Sequence, residues 1–226
     1  MRLRPRWTRE LSTLWVCDLA QAPSALISPQ RAAIFPELED GMQEQLAGVM
    51  GMADRQCVLR RIEAGRRCFV AIIDGSIASY AWVSSHCERV GELERVFVLP
   101  EGDRYIWDCA TAANQRGQHL YTALLSHTLS HLKGEGVRRV WIGASRANRF
   151  STRGIVRAGF SPALETTYLR LGRLRYLRLV RPSSAPPPLA EDAVRLIAQQ
   201  DERRIGSIFV GVGEPASPAC MLSQRT

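Results

Sequence analysis

Lysine is almost absent: Lys133 is the only one among 30 basic residues. The rest of the positive charge is arginine, scattered along the chain, and it outweighs 22 acidic residues to leave a net charge of +8. A scattered excess reads as a solvated surface rather than a nucleic-acid stripe, so no nucleic-acid partner is expected. It still favours anionic partners, such as a phosphorylated cofactor, an acidic protein or a membrane face. Paired cysteine spacing is also missing. Cys17, Cys57, Cys68, Cys87, Cys109 and Cys220 stand apart, and Cys17, Cys68 and Cys109 lie in apolar strand-like runs. A free cysteine there behaves as a small hydrophobe, which suits a reducing, cytoplasmic setting. No apolar run approaches the length of a membrane span. The basic start is followed by a short apolar run broken at Asp18, which argues against a secretory signal; Glu10 and Asp18 count against an Arg-rich transit peptide. No internal repeat is visible.

What is present is enough for a full core. With 226 residues, 46% of them hydrophobic, the chain is expected to form one domain, residues 1–181, followed by a linker, short helix and tail over 182–226. Residues 12–17 read as a first strand. Ser28-Pro29 has the chemistry of a helix start, and helical pattern continues over 43–50 and 59–62. Apolar runs at 68–73 and 76–83 flank Asp74-Gly75, a strong hairpin signal because a type I′ turn needs φ > 0 at both centres. Residues 92–99 and 105–111 are expected as strands, followed by a helix whose stripe holds Tyr121, Leu125, Thr128, Leu129 and Leu132. A fifth strand over 137–143, a hairpin around Gly172, a Pro-rich linker from Pro182 and a helix over 190–203 complete the reading.

The stretch Asn114-Gln115-Arg116-Gly117-Gln118-His119-Leu120-Tyr121 lies between the 105–111 strand and the long helix. A strand, a tight Gly-containing loop and a helix leave backbone N–H groups unpaired at the positive end of a helix dipole, which makes an anion site. Here the sequence resembles the GNAT acyltransferase superfamily, whose pyrophosphate loop reads Gln/Arg-x-x-Gly-x-Gly/Ala between its fourth strand and third helix. Arg116 and Gly117 match; His119 stands where the family has its central Gly, and Tyr121 where it has Gly or Ala. Asn148-x-x-Ser151 with Ala158-Gly159-Phe160 resembles the family's later helix. The likeness covers 14–181 in element order and 105–160 in motif.

The resemblance implies an α/β fold: a mixed, mostly antiparallel sheet flanked by helices, here with a C-terminal extension. It implies N-acyl transfer from acetyl-CoA or another acyl-CoA to the amine of a small molecule, without a metal. An acyl-carrier protein as donor and a non-catalytic ligand- or partner-binding module are the alternatives. By the same resemblance, the backbone edge Cys109-Ala110-Thr111 would meet the pantetheine amides, Asn148 and Ser151 would face that arm, and residues 116–121 would hold the phosphates. A tyrosine the family often uses to protonate the departing thiolate is replaced by Ile155. The residues themselves offer three candidates for the proton acceptor, Glu92 and Glu94, on one face of their expected strand, and Asp108, and the expectation falls on Asp108. Strict alternation would set Asp108 with Ile106 and Ala110, where burial would favour a base working near neutrality. His127 and His131 have metal-clamping spacing but no third ligand in register, and read as two exposed histidines. The oligomeric state and the acceptor are not encoded in any recognisable pattern.

Overall fold

A computed structural model describes residues 7–21, 26–52, 54–172, 174–198 and 208–213. Strand β1 (Trp7–Asp18) runs through the middle of an eight-stranded sheet. Around it lie β2 (Arg67–Ile73), β3 (Ser76–Ser84), β6 (Asp103–Thr111), β7 (Arg139–Ser145), β8 (Ser161–Leu171), β9 (Leu174–Val180) and β10 (Ile208–Gly213), in the order β10-β9-β8-β1-β7-β6-β3-β2. All neighbours are antiparallel except β6–β7 and β9–β10. A separate two-stranded ribbon joins β4 (Cys87–Val90) and β5 (Arg95–Val98). The mostly antiparallel mixed sheet expected from the sequence is therefore present.

Period-two alternation sorts the side chains into two layers. Trp15, Cys17, Ala81, Val83, Ile106, Val140 and Ile142 face helices α3 (Leu120–Gly134) and α4 (Arg149–Arg157). Leu14, Val16, Tyr105, Trp141 and Tyr168 face the opposite way, under the β4–β5 ribbon and α5 (Pro187–Ala198). Tyr80 and Trp82 continue that second layer beneath α1 (Gln43–Val49) and α2 (Gln56–Glu63). Asp74 and Gly75 both take positive φ, +48° and +75°, as the hairpin between β2 and β3 requires.

Three expectations about backbone conformation fail. Ser28-Pro29 opens no helix; the chain crosses β2 in extended form, with bridges Ile34–Ile72 and Glu37–Phe69. Pairing with the bare edge of β2 satisfies the backbone of residues 34–38, where Pro36 would interrupt a helix. This segment also covers the second face of α3, so burial there spreads beyond the expected stripe to Leu120, Thr122, Ala123, Leu124 and Ser126. Phe35 stacks on His127 at 4.1 Å, so His127 is half-buried and its pKa is lowered by burial, while only His131 is exposed. Residues 92–99 are not one strand: a 3-10 turn (Gly91–Leu93) and Glu94 at φ +50° precede β5, which lies outside the main sheet. The third is the regular alternation of β6, which is interrupted at Asp108.

The expected tail helix begins earlier, at Pro187, and residues 199–207 fall outside the described set, as does Cys220. α5 is fastened to the sheet by charge. Asp103, fully buried, accepts from Arg138 at 3.0 Å, Arg139 at 3.2 Å and the Trp141 indole at 2.8 Å. Arg139 also reaches Asp192 of α5 at 2.5 Å. Burial alone would lower the Arg139 pKa, but the two carboxylates prevail and raise it. No described helix is long and apolar enough to cross a membrane. The five described cysteines are free.

Candidate active site

β6 and β7 pair in parallel only from Asp103↔Arg139 to Ile106↔Ile142. Beyond that both continue, bound instead to β3 and β1 on their outer sides, so residues 107–111 and 143–145 face each other without ladder partners. The parting coincides with a bulge. Tyr80 pairs with Ala110 and Trp82 with Trp107, leaving Asp108 and Cys109 opposite the single residue Ala81. Asp108 takes φ +43°, an uncommon conformation for a residue with a side chain. The alternation expected for β6 is thereby shifted: Cys109 joins Ile106 on the α3 side, and Ala110 joins Tyr105 and Trp107 on the other.

The loop into α3 lies at the end of β6. Gly117 has φ +83° with nothing within 4 Å of where a Cβ would stand. His119 caps α3 at φ +59° without a side-chain capping bond. Among the described residues, no backbone N–H over 116–122 has a hydrogen-bond acceptor. Seven such groups at one helix start form a concentrated positive end, suited to an anion. Arg116 is turned back to donate to the Thr111 carbonyl at 3.3 Å, tying loop to strand. The exposed His119 ring meets Arg157 at 3.5 Å, an arginine that no motif singled out. Tyr121 is half-buried, its hydroxyl 3.1 Å from Ser151 Oγ, and burial raises its pKa. Gly154 of α4 makes room for it: a Cβ there would lie 2.6 Å from the Tyr121 ring. Asn148 caps α4 by accepting from the Ser151 N–H at 3.0 Å. Ile155 is completely buried in the core. Residues 109–111, the 116–121 loop and the Asn148–Ser151 cap thus gather at one end of the parted strands.

On the opposite face a cavity of about 590 Å³ opens at the same parting. Asp108 and Glu92 both line it. Asp108 is engaged on both oxygens, by Arg61 of α2 at 2.5 Å and by the Tyr80 hydroxyl at 3.3 Å. The Arg61 guanidinium lies 5.0 Å and 4.7 Å from the ring centres of Trp82 and Trp107, so stacking fixes it as well. Glu92 is exposed, and no described side chain bonds it. Glu94 turns away to Arg170 at 2.8 Å and Arg175 at 2.7 Å. Partial burial would raise its pKa, but the arginines outweigh it and hold it below the ordinary carboxylate range. The 3-10 turn therefore separates two glutamates expected on one face.

Two further residues that line the cavity gave no sequence signal. The Tyr105 ring is 96% buried, yet its hydroxyl points toward Gly143 across the parting: a Cβ at Gly143 would lie 2.9 Å from it. Burial raises the Tyr105 pKa, with the Glu92 charge adding to the shift, so the hydroxyl stays neutral. Ile197 of α5 lines the cavity from a segment expected to lie outside the domain.

The structure is that of an α/β protein whose sheet parts between two parallel strands, with an unpaired N–H cluster at the following helix. The pattern of the Acetyltransferase (GNAT) family matches residues 32–160, more than half of the chain, and the chain belongs to that family. Membership supports acyl transfer as the general function. A comparison with curated proteins finds no match. Among solved structures the chain is similar to a GCN5-related N-acetyltransferase from Sphaerobacter thermophilus (17% identity, 81% of this chain and 55% of that one, TM-score 0.53). It is also similar to a GNAT-family protein from Novosphingobium aromaticivorans DSM 12444 (14% identity, 73% and 67%, TM-score 0.51). A GNAT-family acetyltransferase from Colwellia psychrerythraea is comparable (14% identity, 74% and 57%, TM-score 0.50). The chain spans little more than half the length of two of these, and at such identities the likeness concerns the fold.

Proposed function

We propose that the protein transfers an acetyl or related acyl group from acyl-CoA to the amine of a small molecule. The observation that carries this is the row of unpartnered N–H groups over 116–122, set beside the parted edges of β6 and β7. The residues present fit a pyrophosphate: the donors are backbone, Gly117 leaves open space before them, and Arg157 with His119 adds side-chain donors at the rim. The edge at Cys109, Ala110 and Thr111 would take the pantetheine amides as an added strand, and Asn148 and Ser151 would flank it. The thioester supplies an activated acyl carbon. Forming the new N–C bond and breaking the C–S bond releases a proton from the amine nitrogen, and the chain must accept it.

Glu92 is the better placed acceptor. Both oxygens of Asp108 are already bonded, which suits it to hold Arg61 across the bulge, whereas Glu92 has no described partner. A free carboxylate on the cavity can take the proton directly or through one water. With core isoleucine at 155, the thiolate leaves unprotonated or takes its proton from water. The carrier-protein alternative rests on His119 in place of glycine and on the arginine excess; the His119 ring meets Arg157 at 3.5 Å at the rim of the N–H row, which supports the reading of free acyl-CoA. Calorimetric titration with CoA and a thiol-release assay with acetyl-CoA and an amine panel test the reading. Turnover that requires an added carrier protein would overturn the choice of donor.

A further inference from the structure

The cavity beneath the β4–β5 ribbon has a charge and wall pattern more selective than amine binding alone requires. Its volume, about 590 Å³, lies within the roughly 300–1,000 Å³ of small-molecule sites. Leu14, Leu93, Phe97 and Ile197 supply apolar walls from four separate elements. Of its two carboxylates, Asp108 is compensated by Arg61, which leaves Glu92 alone without a described partner. The exposed Arg89 also lines the cavity and opposes a second positive charge. One polar group looks inward from the core: the Tyr105 hydroxyl, which has no described hydrogen-bond partner and for which Gly143 leaves space.

We infer that the acceptor is a primary amine with a single positive charge on a compact apolar body, and that Ile197 of the C-terminal helix sets how long that body can be. The inference rests on the acyl-transfer reading above and narrows its substrate. An ammonium group would enter beside Glu92 and lose its proton there. Its nitrogen would find the Tyr105 hydroxyl at the strand parting, and its body would lie between Leu93 and Phe97 with Ile197 behind. A polyamine would leave further ammonium groups against apolar walls, where an unpaired charge is costly. Because α5 is held by Asp192 to the Arg139–Asp103 cluster, the end wall is fixed to the same strands that form the floor.

The test uses the full chain, with 2-phenylethylamine, hexylamine, decylamine and spermidine as probes. Amine binding to the donor-free protein is measured by calorimetry and kcat/KM by thiol release. The expected result is that 2-phenylethylamine exceeds spermidine by about tenfold or more in kcat/KM and binds without donor. Ile197→Ala should shift the preference from hexylamine toward decylamine by about tenfold, and Ile197→Phe should shift it the other way. Tyr105→Phe, which keeps the core volume, should raise KM by about tenfold. CoA affinity, measured on every variant, should stay at the wild-type value and reports that the fold is intact. Spermidine preferred over the apolar amines, no binding of any apolar monoamine by a protein that binds CoA, or Ile197 variants that scale all amines equally would each overturn this inference alone. Failure of the wild-type protein to bind CoA would overturn the function it rests on.

Discussion

The two sides of the parted sheet are built in opposite ways. On the α3 side, the groups left unpaired are backbone: N–H groups over 116–122, the bare edge of β6 and a glycine that keeps the approach open. On the α5 side, the cavity is lined by side chains drawn from β1, the 3-10 turn, β5, β6, β7 and α5. A backbone site depends on a short local conformation and is insensitive to most side chains. A side-chain site depends on distant segments meeting, and each can vary alone. The contrast predicts that donor affinity will respond to few substitutions, and acceptor choice to many.

Substitutions can break that contrast at either side. The largest effect is expected at Glu92. Replacing it with glutamine should lower kcat/KM by about a hundred- to ten-thousand-fold. CoA affinity by calorimetry should stay unchanged; a fall in donor affinity would mean that the two sides are not separate. Asp103→Ala should cost about 3–5 kcal/mol in denaturant unfolding, because it leaves Arg139 buried without its central partner and frees α5. Next comes Gly117→Val. A β-branched residue at positive φ, pointing into the space before the N–H row, should weaken CoA binding by about a hundredfold while the unfolding free energy falls by only about 1–2 kcal/mol.

The same contrast explains what the sequence disclosed. Arg116-Gly117, the Asn148 cap and Gly159-Phe160 are local patterns whose conformations are set by near neighbours, and the loop-and-helix geometry around the parted strands was legible from them. Asp74-Gly75 gave its hairpin for the same reason. The acceptor side was not legible. Nothing in Trp107-Asp108-Cys109 signals a bulge, because a non-glycine residue at positive φ is imposed by pairing against β3. Glu92 and Glu94 have strand-like neighbours, yet the turn before β5 sends one to the cavity and the other to Arg170 and Arg175. Ser28-Pro29 carries a helix signal that the edge of β2 overrides. Ile197 lines the cavity although it lies in the expected tail, because Arg139 holds α5 to the sheet.

Smaller effects sharpen the picture. Acid should destabilise the fold in two stages. His127, lowered by burial, is neutral in the fold and binds its proton more readily when unfolded, so stability falls as pH drops through the ordinary histidine range. Glu135, lowered mainly by the Arg67 hydrogen bond, and Glu94, lowered by Arg175 and Arg170 against burial, contribute stability above the ordinary carboxylate range. That contribution is lost as pH falls through their depressed folded values. Glu94→Gln should remove part of the second stage and leave turnover at neutral pH unchanged. A loss of activity there would return Glu94 to the site. The smallest effect is expected at His119: glycine relieves its positive φ and should raise stability by about 1 kcal/mol, with CoA affinity changed less than about threefold.

The most direct measurement is a calorimetric titration of wild-type protein and the Gly117→Val variant with CoA. A backbone anion site at the start of α3 predicts saturable one-to-one binding by the wild type and about a hundredfold weaker binding by the variant. No saturable binding by the wild type, or equal affinity in both proteins, would contradict it.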